Sequence, residues 1–148
     1  AKIHTATNGY ALDTFQVVSG HFEEHYRDLI NLVETGLTEI ITEAKPLPAV
    51  GKGRVSRRVK SFPIAPRVTL QPDERAQKWL LSISASDRVG LLYSVACVLA
   101  KHKVNLLLAK ISTLGERVED TFLIDGAVLQ QNRAQLEIET ELLAALQA

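Results

Sequence analysis

The sequence matches itself. Lys2-Ile3-His4-Thr5 resembles Lys110-Ile111-Ser112-Thr113, and Asp13-Thr14-Phe15 reappears as Asp120-Thr121-Phe122. The intervening turn has seven residues in the first copy and six in the second. Each copy is followed by an amphipathic helical pattern. Two matches in the same order, with the same flanking elements, indicate two copies of one structural unit. The second copy is complete as strand–helix–strand–strand–helix. The first lacks the leading strand and helix. The chain also starts at Ala1 and contains no methionine. It is therefore expected to be an internal or C-terminal piece of a longer polypeptide, with one strand and one helix of the first unit upstream.

Hydrophobic periodicity supplies the elements. Over residues 21–44, Phe22, Tyr26, Leu29, Ile30, Val33, Leu37, Ile40 and Ile41 recur at helical steps, which predicts one apolar helix face. Trp79, Leu81, Ile83 and Ala85 alternate with Leu80, Ser82, Ser84 and Ser86, the pattern of a half-buried strand. Ser86-Asp87 can cap the following helix, whose face is Leu91, Leu92, Val95, Val98 and Leu99. Val104–Thr113 and Val118–Asp125 read as a hairpin turning at Gly115-Glu116-Arg117. Asn132 begins a helix with Leu136, Leu142, Leu143 and Leu146 towards the core. Arg67-Val-Thr-Leu-Gln71 is a short strand, expected to pair as a hairpin with Trp79–Ala85. This order implies an α+β fold of ferredoxin-like plan, an antiparallel sheet with helices on one face, with its first copy truncated.

The 17 basic and 17 acidic side chains balance, but not locally. Residues 1–44 carry 2 basic and 7 acidic groups, residues 45–78 carry 9 and 2, and residues 79–148 carry 6 and 8. The basic middle holds all five prolines. Pro46-Leu-Pro-Ala-Val-Gly-Lys-Gly53 has no period and reads as a linker. The predicted division is thus residues 1–44, the C-terminal part of a first domain, then a linker at 45–65, then a second domain at 66–148. No apolar run approaches the ~18 residues of a membrane helix, so no membrane partner is expected. Cys97 stands alone in an apolar pattern, which fits a small packing residue in a reducing, cytoplasmic setting.

Most motifs with chemical potential dissolve on inspection. His21-Phe-Glu-Glu-His25 fits a zinc-peptidase pattern, but no supporting acidic ligand follows, and solvated histidines explain it. A single cysteine excludes cysteine-rich zinc sites. No phosphate loop or nucleophile elbow occurs. Lys52, Arg54, Arg57, Arg58 and Lys60 form a basic stretch, yet the strands of the complete unit offer only Trp79 and Phe122 for base stacking; a solvated linker, not nucleic-acid binding, is expected. No catalytic residue and no metal site is assigned.

The loop Ser86-Asp87-Arg88-Val89-Gly90-Leu91-Leu92 is the candidate ligand site. It joins a strand to a helix N-terminus, where free amides and the positive end of the dipole suit a carboxylate. Gly90 permits close approach. Asn105 offers a donor and an acceptor. Together these suit a zwitterionic amino acid, its ammonium on Asp87 or on backbone carbonyls. The alternative is structural: Asp87 caps and Gly90 packs.

These residues carry a family resemblance. Asp87-Arg-Val-Gly-Leu-Leu92, Val104-Asn-Leu106, Ala109-Lys-Ile-Ser-Thr113 and Gly115-Glu-Arg-Val-Glu-Asp-Thr-Phe122 resemble an ACT domain. With Gly9-Tyr-Ala-Leu-Asp-Thr-Phe15 added, the chain is similar to the tandem ACT region that ends the uridylyltransferase/uridylyl-removing enzymes of protein PII. The family usually has proline where Val89 stands. The resemblance implies a ferredoxin-like fold and binding of glutamine or a similar amino acid at residues 86–92 and near Asn105, at an interface between ACT domains. It further implies partnership with upstream catalytic domains and with PII, and possible homo-oligomers through ACT sheets. It implies no cofactor in these 148 residues, Mg and UTP belonging to the parent's catalytic domains. A purely structural or dimerising ACT module is the alternative.

Overall fold

The computed structural model describes residues 2–16, 26–43, 49, 64–75 and 77–147. They fall into two compact units: residues 1–15 together with 50–148, and residues 16–49. The His21–His25 motif and the basic stretch from Lys52 to Lys60 lie outside the described residues.

The larger unit is built on an antiparallel sheet. Its strands are β1 (Lys2–His4), β2 (Arg67–Asp73), β3 (Lys78–Ser86), β4 (Asn105–Lys110), β5 (Thr113–Leu114) and β6 (Arg117–Asp125). The order across the sheet is β1-β4-β6-β3-β2, with β5 pairing to β6 at the hairpin turn. The two strands with the strongest alternation, β3 and β6, lie at the centre. Leu81, Ile83 and Ala85 of β3 and Val118, Phe122 and Ile124 of β6 point to one face and are buried. Two helices close that face: α2 (Leu91–Lys101) and α3 (Asn132–Gln147), labelled after the helix of the smaller unit, α1 (Tyr26–Glu43). Period-2 side chains on the sheet meet period-3.6 side chains on the helices, and the core is the shared layer.

The predicted edge strand is present. β2 pairs with β3 from Arg67↔Ser84 to Asp73↔Lys78. It occupies the edge position next to β3 in the sheet. Its outward Leu70 N–H donates to the Glu139 carboxylate on α3, 3.2 Å away, so part of this edge is satisfied by a side chain.

The core face of α3 is Ala134, Ile138, Leu142 and Leu146, at steps of four. Leu136, expected inward, is 64% exposed. The face is set by where the sheet lies, and Ala134 and Ile138 win it. The cap expected from Ser86-Asp87 is also corrected. α2 starts at Leu91 behind Gly90, without a side-chain cap, and the Ser86 hydroxyl instead accepts the Ile64 N–H at 3.4 Å.

The smaller unit contributes α1. Gly36 lies inside it, as expected. Among the described residues none of its side chains is buried, and Tyr26, Val33, Leu37, Ile40 and Ile41 of the predicted apolar face are exposed.

The repeat is real at the level of single hydrogen bonds. The His4 N–H donates to Asp13 Oδ1 at 3.3 Å, and the Ser112 N–H donates to Asp120 Oδ1 at 3.1 Å. The Leu12 N–H donates to the His4 carbonyl at 2.8 Å, and the Glu119 N–H to the Ser112 carbonyl at 2.8 Å. Lys2 faces Thr14 as Lys110 faces Thr121. The two copies then pair with each other: β1 runs antiparallel to β4, with Lys2 opposite Lys110. Equivalent residues stand face to face, so a local pseudo-two-fold axis passes between them. The first copy's strand thus joins the sheet of the second copy, within the unit of residues 1–15 and 50–148.

Asp120 carries one testable consequence. It is 2% exposed, and burial raises its pKa above the ordinary Asp value, against the lowering effect of the Ser112 N–H. A raised folded-state pKa means that stability is lost as pH rises from the unfolded value through the folded one. Asp120→Asn keeps an acceptor oxygen and removes the charge. Its stability relative to the parent should increase over that window and then level off, in urea titrations at stepped pH. Asp120→Ala leaves the Ser112 N–H without its acceptor and should cost about 1–3 kcal/mol.

Candidate functional site

The loop from Ser86 to Leu92 is braced from several directions. The Asp87 N–H donates to the Glu116 carbonyl at 2.7 Å, tying the loop to the β5–β6 turn. The Leu91 N–H reaches the Arg88 carbonyl at 3.2 Å. Gly90 has φ 80°, in the left-handed region. That explains the glycine, because an L side chain there costs about 1–2 kcal/mol. The Ser94 hydroxyl donates to the Gly90 carbonyl at 2.9 Å.

Arg88 looks inward. Its Nη2 donates to the Ala145 carbonyl at 2.5 Å and to Ser94 Oγ at 3.3 Å. Its Nε is buried without a hydrogen-bond partner. A guanidinium at the last turn of α3 meets the negative end of that helix. Its chemistry is thus spent on holding α3 to the loop. Leu91 is part of the core, and Leu92 packs against it. Asp87 and Val89 are the exposed side chains of the loop, Val89 at 70%. The exposed carboxylate of Asp87, beside an α2 N-terminus that has no side-chain cap, is what the loop offers to solvent.

Asn105 is elsewhere. Ser86 pairs with Arg117 at one end of β6, and Asn105 pairs with Asp125 at the other. Eight strand steps separate those positions, about 26 Å. Loop and Asn105 therefore stand apart in this chain, an outcome of the antiparallel order of β4 and β6. Asn105 instead lines a cavity of about 530 Å3 on the helix-free side of the sheet, with His4, Thr5, Lys78, Leu108 and Leu123. Sequence reasoning missed this cavity, because His4 and Thr5 come from the other copy. Lys78 Nζ pairs with Asp125 Oδ2 at 2.5 Å, and that hydrogen bond holds the Asp125 carboxyl below its ordinary range.

The local symmetry relates the two places. The axis between Lys2 and Lys110 carries one end of the sheet onto the other.

Among the described residues no group of three His, Cys, Asp or Glu side chains could hold a metal ion. Among them, too, no helix is long and apolar enough to cross a membrane.

Residues 79–140 match the ACT domain family. They form an ACT domain. Almost the whole chain, 99% of it, is 58% identical over 151 residues to the bifunctional uridylyltransferase/uridylyl-removing enzyme of Ralstonia nicotianae. It is 53% identical over 146 residues to the protein of that name from Burkholderia mallei, again over 99% of the chain. The match is to the C-terminal region of these relatives. The chain spans only 18% and 17% of their respective lengths. No solved structure matches the chain. The ACT match ends at Gln/Glu-rich α3, before the Ala145 carbonyl that receives Arg88.

Three substitutions test the bracing. Arg88→Ala should lower the unfolding free energy by about 1–3 kcal/mol, through loss of a charged hydrogen bond. Arg88→Lys should not restore it, since a point charge cannot serve both acceptors in the same way. Gly90→Ala should cost about 1–2 kcal/mol. Urea unfolding followed by circular dichroism reads all three.

Proposed function

We propose that this chain is the amino-acid-sensing, regulatory region of a bifunctional uridylyltransferase/uridylyl-removing enzyme. Glutamine is the ligand we assign, and control of PII uridylylation and deuridylylation is the output. The close match over 99% of the chain to the C-terminal region of such enzymes is the observation that carries this reading. The catalytic work, with its Mg and UTP, belongs to other domains of the parent, in the cytoplasm. The fragment itself supplies recognition.

The chemistry follows from the loop. The carboxylate of the amino acid meets the N-terminal amides of α2, where dipole and donors act together. Its ammonium meets the exposed Asp87 carboxylate. The neighbouring unit's counterpart of Asn105, which precedes residue 1, would complete the polar set. By the same symmetry Asn105 serves the loop of the first unit. A tandem pair then has two sites, each split between units. A ligand held between two units acts on their arrangement through its differential affinity, a coupling typically of ~1–3 kcal/mol. The inward commitment of Arg88 favours a structural role for that one residue.

Calorimetry on the complete tandem tests the reading. Glutamine should bind with two sites per chain. Asp87→Ala should remove one of them, and Asn105→Ala should weaken the other. A lost charge-assisted contact of about 1.5–3 kcal/mol corresponds to an affinity loss of about ten- to a hundredfold. Absence of heat with the intact tandem would sink the sensor reading and leave a structural or dimerising module.

A further inference from the structure

We infer that the paired lysines on the helix-free face of the sheet form a binding site for a diphosphate. The site rests on the register. Lys2 stands directly opposite Lys110 on the neighbouring strand. On its other side Lys2 faces Thr14, and the two exchange both backbone hydrogen bonds at 2.8 Å. Lys110 faces Thr121 in the same way. The row across the sheet therefore reads Thr14–Lys2–Lys110–Thr121, a palindrome about the pseudo-two-fold axis. Ile3, Phe15, Ala109 and Phe122, the chain neighbours of these four, border an apolar cavity against α2. By strand alternation the row itself points the other way, towards solvent.

The charges in this row are uncompensated. Like charges directly opposite each other in an antiparallel ladder destabilise it. Among the described residues neither lysine makes an ion pair. The carboxylates that β6 presents on the same face are already engaged. Glu119 receives Arg117 and the Ser84 hydroxyl, and Asp125 receives Lys78 and the Gly126 N–H. An anion from solution is the counter-charge left to Lys2 and Lys110. Cβ atoms of directly opposed residues lie ~4.5–5.5 Å apart, and each lysine carries three donors on a flexible stem. Both ammoniums can thus converge on one ligand, with a threonine hydroxyl on the outer side of each. Donors related by a two-fold axis suit a ligand with the same symmetry. A diphosphate places one phosphoryl group on each Lys–Thr pair, where lysine acts as a point charge for phosphate. No member of the row belongs to the 86–92 loop, so the inference stands whether or not an amino acid binds.

Isothermal titration of the 148-residue chain with sodium pyrophosphate, at about pH 8 and constant ionic strength, tests it. Binding should saturate at one site per chain. Lys2→Gln and Lys110→Gln should each weaken it by about fivefold, the scale of one exposed charge pair. The two factors should be equal, because the axis makes the lysines equivalent. Lys78→Gln, on the same face but paired with Asp125, should leave binding unchanged. Both lysines of the row are exposed, so each variant should fold as the parent does. Melting gives a second reading: pyrophosphate should raise the midpoint of the parent chain more than that of either row variant. Orthophosphate should bind more weakly than pyrophosphate. ADP separates the sources of the diphosphate. Binding as tight as pyrophosphate supports a nucleotide, and weaker binding supports free pyrophosphate. Absence of saturation overturns the inference, as does equal weakening by Lys78→Gln. Equal affinity for orthophosphate overturns it too, since the row is then a general anion patch.

Discussion

The backbone ladder between Lys2–His4 and Leu108–Lys110 is the interaction on which the rest of the arrangement depends. Without it β4 would present a bare edge, with donors and acceptors open to other chains. The Thr5 hydroxyl extends the ladder by donating to the Leu106 carbonyl at 2.8 Å. The register matters as much as the bonds. It sets Lys2 against Lys110 on the open face, a like-charge pair that exposure makes tolerable. It also sends Ile3 to the apolar side. A slip of one residue would reverse both faces of β1.

From that axis follows the division of the candidate site. A loop and an asparagine that look like partners in the sequence stand at opposite ends of β6; in the proposed tandem each meets the other unit's counterpart. A sensor split as proposed would respond to the relation between units and not only to occupancy. The loop is suited to transmit such a change. It touches the hairpin turn through Asp87, the segment before β2 through Ser86, and the end of α3 through Arg88. Movement at Asp87 would be felt in three elements.

Much of this was legible from residue pattern. The alternation at 79–85, the turn at Gly115, the hairpin of 67–71 with 79–85 and the two-copy repeat all rest on local periodicity and turn chemistry, and the structure carries each of them. Gly90 was legible as necessary, though its left-handed φ was not. What failed was of a different kind. Leu136 satisfies a helical period, but period alone does not say which of two adjacent stripes the sheet will cover. Ser86-Asp87 has capping chemistry, but Gly90 moved the helix start beyond its reach. Arg88 counts in the sequence as one residue of the candidate ligand loop. Its partner, the Ala145 carbonyl, is 57 residues away and has no side-chain signature.

The sequence by itself determined the unit, its repetition and the antiparallel ferredoxin-like plan, because strand and helix periods and turn residues act over a few neighbouring positions. Only the tertiary structure decided that the first copy's strand would continue the second copy's sheet, that Asn105 and the 86–92 loop would lie about 26 Å apart, and that Phe15 would lie bare where Phe122 is buried. Those outcomes depend on register and on which element arrives to cover which face. They are properties of pairings between distant segments, and no local pattern encodes them.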